Sequence, residues 1–378
     1  MSGMRRASTQ LSFLVALYWE LAAEEGPVAG SDGMIVLKRA SPEMAADREW
    51  ESCWIRLSAA SGYGSEEETF DILMRPLLIP AAVLLVSAIQ FPRSVRGADE
   101  TPPGRQGGRP GRAPAVVGEE DRPAFARPAD GWDRRREGVP RGKMELVEYE
   151  SKTVGTKRKM NVYTPAGYDG ERRYPVLYLL HGIGGDEGEW IRFAQPDVLL
   201  ENLIADGKAQ PMLLVMPNGR AQKDDRPVGN VMQHAPAFAV FEKDLLDDVM
   251  PAVAARFRVR SGPEQSAIAG LSMGGGQALN FGLGNPDRFA WVGGFSSAPN
   301  TRPPSELLKD AAAAEKFRLI WLSCGTRDGL FGISQGVDRH LRKASIPHVW
   351  HVTDGAHDAA EWKQALHHFL QQLTFPAE

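Results

Sequence analysis

A chain of 378 residues, 43% hydrophobic and 24% charged, is ordinary for a globular protein and can bury a sizeable core. A formal net charge of −4, with no basic stripe interleaved with aromatics, excludes a nucleic-acid partner. The two cysteines, Cys53 and Cys324, have neither metal-ligand spacing nor the number that a disulfide framework needs, and no apolar run is long enough to span a bilayer as a mature helix.

Residues 1–73 carry an apolar patch at Leu11–Trp19 and acidic clusters, but no sustained period of 2 or 3.6. Met74-Arg75-Pro76 then leads into the apolar run Leu77–Ile89 and small residues up to Ala98, the layout of a secretory signal peptide. The expectation is that residues 74–98 are such a signal and that translation begins at Met74. Residues 1–73 are then upstream sequence from gene-start misassignment, or a disordered extension; a core helix or membrane anchor in a longer protein is the alternative. Residues 99–140, rich in Pro, Gly and Arg, are expected to form a disordered linker, because such a composition buries too little surface to offset its ordering entropy.

From Lys143 the texture changes. Met144–Val154 and Arg158–Tyr163 alternate as two half-buried strands joined at Gly155-Thr156. Val176–Leu180 and Met212–Met216 are continuous apolar strands. Phe241, Leu245, Val249 and Val253 recur every four residues on a helix that Pro251 is expected to kink. Ala267–Ala269, Phe289–Phe295, Phe317–Ser323 and His348–Val352 are further strands, and a last helix carries Trp362, Leu366, Phe369 and Leu373 on one face. Apolar strands alternating with helices predict one α/β domain over 141–378, a mostly parallel central sheet with helices on both faces.

Within it, Ile268-Ala269-Gly270-Leu271-Ser272-Met273-Gly274 is Gly-x-Ser-x-Gly between a strand and a helix, the pattern of a nucleophile elbow. The glycines are expected because side chains at Gly270 or Gly274 would collide with the neighbouring strand and helix. Asp328 and His357 follow two later strands, so three loops at carboxyl strand ends supply Ser, Asp and His in the chain order of the α/β-hydrolase fold. A serine hydroxyl attacks a carbonyl only as a base takes its proton; His357 has the right basicity, and Asp328 would hold its tautomer. Asp354 and Asp358 share the His357 loop and cannot easily reach behind the ring. Two backbone N–H groups should bind the oxyanion, Met273 after the nucleophile and Ile183 in His181-Gly182-Ile183-Gly184-Gly185. No metal and no cofactor is called for. Cys324 reads as a small buried residue rather than a nucleophile, and most other histidines as structural.

These stretches resemble the esterase D-like α/β hydrolases, most closely carbohydrate esterase family one, the feruloyl and acetyl-xylan esterases. The resemblance spans Gly142–Phe375 and rests on Lys157–Tyr163, Tyr178–Gly185, Val215–Arg220, Phe241–Leu245, Gly270–Gln277 and Cys324–Asp328. It implies a secreted or periplasmic, metal-free serine esterase acting on acylated polysaccharide or a small ester, with no stable membrane insertion of the mature form. It also implies a triad of Ser272, Asp328 and His357 and oxyanion donors Ile183 and Met273. Gly276, where formylglutathione hydrolase relatives usually carry histidine, points to the polysaccharide-esterase branch. Ala359 stands where relatives often place an aromatic, which leaves the acyl group open. Trp190, His234 and Gln277 are the candidate substrate contacts, with Trp190 equally readable as core. The competing readings are an S-formylglutathione hydrolase-like thioesterase, a mycolyl-type acyltransferase and a catalytically silent carbohydrate-binding fold.

Overall fold

The computed structural model describes residues 116–308 and 311–377, together with four strands in the first 115 residues. The chain divides into two units, Met1–Gly107 and Gly108–Glu378. In the first, β1 (Val28–Gly30), β2 (Gly33–Ile35), β3 (Cys53–Ala60) and β4 (Glu67–Met74) form an antiparallel sheet in sequence order. Regular structure was not expected there. The apolar run expected as a signal segment, and residues 99–115 of the expected linker, lie outside the described residues.

The second unit is built on eight strands: β5 (Lys143–Ser151), β6 (Thr156–Thr164), β7 (Val176–Leu180), β8 (Leu213–Pro217), β9 (Ser266–Leu271), β10 (Trp291–Phe295), β11 (Leu319–Gly325) and β12 (Val349–Thr353). Their order is β12-β11-β10-β9-β7-β8-β6-β5. The β5–β6 hairpin and the β6–β8 pair are antiparallel, and β7 to β12 are parallel. This is the α/β-hydrolase fold with helices around a mostly parallel sheet. The continuous apolar strands are explained by burial on both faces. On β7, Val176, Tyr178 and Leu180 enter one core cluster, and Leu177 and Leu179 enter the other. The period-2 alternation of a strand is present, but both of its phases are apolar.

The predicted helix around Phe241 differs from expectation. It runs as Ala235–Asp244, a π-helical turn Leu245–Val249, then Met250–Arg256. A strict four-residue repeat drifts roughly 40° per step on a helix of 3.6 residues per turn. The wider π turn absorbs that drift, and Phe241, Leu245, Val249 and Val253 are all fully buried. Pro251 lies just past this π turn, where the altered hydrogen-bond ladder accommodates a residue without an N–H.

Residues 116–140, expected as part of a disordered linker, instead form a strap packed on the domain. Phe125 stacks on Trp321 and His368 with centroids 5.4 Å away in each case, and Trp132 meets His367 edge-on at 4.5 Å. Asp121 accepts hydrogen bonds from the Trp350 indole (2.8 Å) and Gln335 (2.6 Å), and Arg136 bonds Asn202 and Asp206. Composition averaged over the window hid two aromatic anchors and one buried carboxylate. A cavity of about 490 Å³ lies between this strap, Asn202 and His367; it shares no residue with the site described below. Truncating Phe125 to alanine should destabilise the protein by about 2 kcal/mol, below the range for a fully buried phenylalanine because the ring is only half-buried. Urea unfolding followed by tryptophan fluorescence checks this.

Candidate active site

Strand β9 ends at Leu271, and the helix Ser272–Gly284 begins at once. Ser272 turns the corner with φ +52°, a left-handed conformation that costs a non-glycine residue about 1–3 kcal/mol. The surroundings allow no relaxation. A Cβ on Gly270 would lie 2.5 Å from the Gly274 carbonyl carbon and 2.9 Å from the Leu180 oxygen. One on Gly274 would lie 2.5 Å from the carbonyl oxygens of both Leu180 and His181. The collision expected of these positions is therefore with backbone, which cannot swing away.

The structure brings the three candidate side chains together. Ser272 Oγ lies 3.0 Å from His357 Nε2, and His357 Nδ1 lies 2.8 Å from Asp328 Oδ2. A carboxylate only accepts, so Nδ1 carries the proton and Nε2 is left to receive the one on Ser272. Asp328 is buried, and burial alone would raise its pKa. Hydrogen bonds from His357 and from the Leu330 N–H (2.7 Å) outweigh that and hold the carboxyl below its ordinary range. Trp362 stands edge-on to the His357 ring at 4.9 Å and fixes its plane. Asp358 is the N-cap of the final helix Ala359–Gln372, accepting from the Ala360 and Glu361 N–H groups, and does not compete with Asp328.

The loop His181–Gly185 lies against the nucleophile, for a Cβ on Gly182 would be 3.5 Å from Ser272 Cβ. Ile183 N–H donates to no protein acceptor among the described residues, and Met273 N–H belongs to a first helical turn, where such donors lack partners. Around them Phe238, Met273 and Ala298 form a small apolar cluster flanked by Ile183, Ala235 and Leu330. It adjoins the serine, whose carbonyl accepts the Ala298 N–H at 3.0 Å.

Two substrate-contact candidates are corrected. Trp190 is core: it is 1% exposed, its indole donates to the Leu180 carbonyl (3.0 Å), and it packs on Phe193 and Phe295. Gln277 is fully buried and donates to the carbonyls of Gly219 (2.9 Å) and Phe238 (2.7 Å), so it ties elements together and cannot reach substrate. His234 meets Gln222 at 3.4 Å, and no hydrogen bond joins it to the triad. Cys324 is buried, and its surroundings push the thiol pKa up, away from nucleophilic use.

Sequence reasoning missed Glu361. It is 5% exposed, accepts from the Thr353 hydroxyl, and leaves Oε1 without a partner among the described residues beneath the His357 loop. Burial, with Asp358, Asp328 and Asp354 nearby, raises its pKa to about 7 despite the Thr353 hydrogen bond. A helical glutamate next to Trp362 carries no sequence signal of burial.

The fold is that of the α/β hydrolases, and it places Ser272, His357 and Asp328 in one hydrogen-bonded line. The family model described as "Putative esterase" matches residues 151–373, and the chain belongs to this family of carboxylic-ester hydrolases. It is 32% identical over 244 residues to the endo-1,4-beta-xylanase/feruloyl esterase of Xylanibacter ruminicola, covering 63% of this chain and 32% of that protein. It is 30% identical over 178 residues to esterase Rv1288 of Mycobacterium tuberculosis, covering 47% of this chain and 35% of that one. The chain thus spans about a third of the length of these curated relatives. Among solved structures, the CE1 ferulic acid esterase of Anaeromyces mucronatus, in complex with ferulic acid, is similar at 25% identity and TM-score 0.59. That match covers 65% of this chain and 95% of the fungal one.

The raised Glu361 pKa has a consequence for stability. From an ordinary value of 4.5 to about 7, the folded state holds a proton that the unfolded state has released, so the contribution of Glu361 is present at low pH and lost as pH rises. Glu361→Gln, which cannot ionise, should gain on wild type by about 2–3 kcal/mol between pH 5 and pH 8. Denaturant midpoints of both proteins across that range check it.

Proposed function

We propose that this protein is a serine carboxylic-ester hydrolase that removes feruloyl or acetyl groups from a polysaccharide such as xylan, through an acyl-enzyme on Ser272. The observation that carries the mechanism is the continuous Ser272–His357–Asp328 hydrogen-bond path. His357 Nε2 takes the hydroxyl proton as Oγ attacks the ester carbonyl. The tetrahedral oxyanion accepts hydrogen bonds from Ile183 and Met273 N–H, and His357 returns the proton to the departing alcohol. Water, activated by the same imidazole, then releases the acid and restores Ser272. Asp328 stays ionised and stabilises the imidazolium formed in each half.

Support for the substrate class comes from the relative named a xylanase/feruloyl esterase and from the neighbour solved with ferulic acid. Within this chain, the apolar cluster of Phe238, Met273, Ala298 and Leu330 beside the serine suits an aromatic acyl group better than acetate. Ser272→Ala should lower turnover of methyl ferulate by at least about 1,000-fold. The assay compares both proteins on methyl ferulate, acetylated xylan and a thioester. Equal rates for the two proteins would sink the serine mechanism, and a thioester preference would sink the polysaccharide assignment.

The reading also includes export, supported by the Met74-Arg75-Pro76 and Leu77–Ile89 pattern. Native protein is expected to begin just after residue 97 or 98; N-terminal sequencing that finds a start before Met74 would refute it.

A further inference from the structure

The oxyanion loop is gripped from behind by side chains to which no role has been assigned. Arg220 is fully buried. Its guanidinium donates to the Ile183 carbonyl, to the Gly185 carbonyl (3.1 Å) and to the Asp225 carbonyl (2.9 Å). Among the described residues no carboxylate pairs with it; the nearby Asp225 carboxylate is taken by Arg226 (2.9 Å) and Arg158 (3.4 Å). A buried cation that spends its donors on loop carbonyls is a costly way to hold a loop unless its position matters.

The peptide that carries the Ile183 N–H is fixed from its other end. His181 Nε2 lies 2.8 Å from the Gly219 nitrogen and 3.1 Å from Asn218 Oδ1. The Gly219 N–H can only donate, and Asn218 Oδ1 already accepts the Arg220 N–H (3.0 Å), so Nε2 accepts and the proton sits on Nδ1. Nδ1–H then donates to the Gly182 carbonyl at 2.6 Å, on the same peptide plane as the Ile183 N–H. Burial lowers the His181 pKa and favours this neutral form. Gly219 is the joint of the assembly: its N–H reaches His181, and its carbonyl accepts Gln277 from the helix that begins at Ser272. Phe238, which lines the apolar cluster, lies under the Arg220 guanidinium at 5.3 Å.

We propose that Arg220 is the positioning residue of the oxyanion hole, setting the Ile183 N–H through the Ile183 and Gly185 carbonyls while His181 locks the preceding peptide. The inference rests on the acyl-enzyme reading of Ser272. A donor displaced from the oxyanion costs about 100-fold or more in rate, whereas ground-state binding of a planar ester hardly depends on it.

The test compares wild type with Arg220→Met and Arg220→Lys on methyl ferulate, with rates expressed per Ser272 titrated by a fluorophosphonate so that misfolded protein is not counted. Arg220→Met is expected to lose about 100-fold in kcat with KM within about twofold. Its affinity for an aryl boronic acid, which forms a tetrahedral adduct on serine, should fall by a similar factor, while affinity for ferulate is unchanged. Arg220→Lys keeps the charge but lacks the fork, and should fold and still lose at least about tenfold. Wild-type kcat per titrated site in either variant, or equal loss of boronate and ferulate affinity, overturns the positioning role alone. If wild type itself shows no Ser272-dependent turnover, the acyl-enzyme reading falls and this inference falls with it.

Discussion

Everything at the candidate active site depends on how closely the helix Ser272–Gly284 approaches the end of β7. Gly270 and Gly274 let the backbone of that helix touch the carbonyls of Leu180 and His181, with no side chain between. The contact does two things at once. It forces Ser272 into a left-handed conformation that lifts its hydroxyl toward His357, and it sets the start of the oxyanion loop one residue beyond the contact. In the proposed acyl-enzyme mechanism, nucleophile and oxyanion donors are thus registered by main chain against main chain.

Around that contact lies a shell of buried polar groups that work by holding backbone. Arg158 donates to the carbonyls of Asn218 (2.7 Å) and Arg220 (2.8 Å) while pairing with the buried Asp244. Gln277 and His181 meet at Gly219, and Arg220 closes on the oxyanion loop. The β6 strand, the β8 loop, the π-bearing helix and the nucleophile helix are thereby tied at one place. Such a network is high in cost if broken, since each member is buried and the hydrogen bonds it makes run to this one cluster of backbone and side chains.

Much of this was legible in the sequence. Periodicity and turn residues located the strands of the main domain and the loops that carry Ser272, Asp328 and His357, because those signals are local. The two misplaced contacts, Trp190 and Gln277, failed for a shared reason. Each stands near a motif, but whether a side chain points to the cleft or into the protein is decided by packing partners distant in sequence, Phe295 for one and Gly219 for the other. The strap failed through averaging: Phe125 and Trp132 are two aromatics in a window dominated by breakers. Glu361 and Arg220 were read past because charged residues are rarely buried whole.

The strap also fixes where the preceding chain joins the catalytic unit. Val116 delivers its carbonyl to Gln335 (2.9 Å) and Arg339 (3.4 Å), both on the helix Phe331–Lys343, which opens three residues after Asp328. The first contact of the strap is therefore with the helix that follows Asp328, and its next residues bond the edge strand β12, where the Arg122 carbonyl accepts from the Val352 N–H (3.2 Å). Changes of length within residues 116–125 would therefore be felt at both elements that flank the Asp328 and His357 loops.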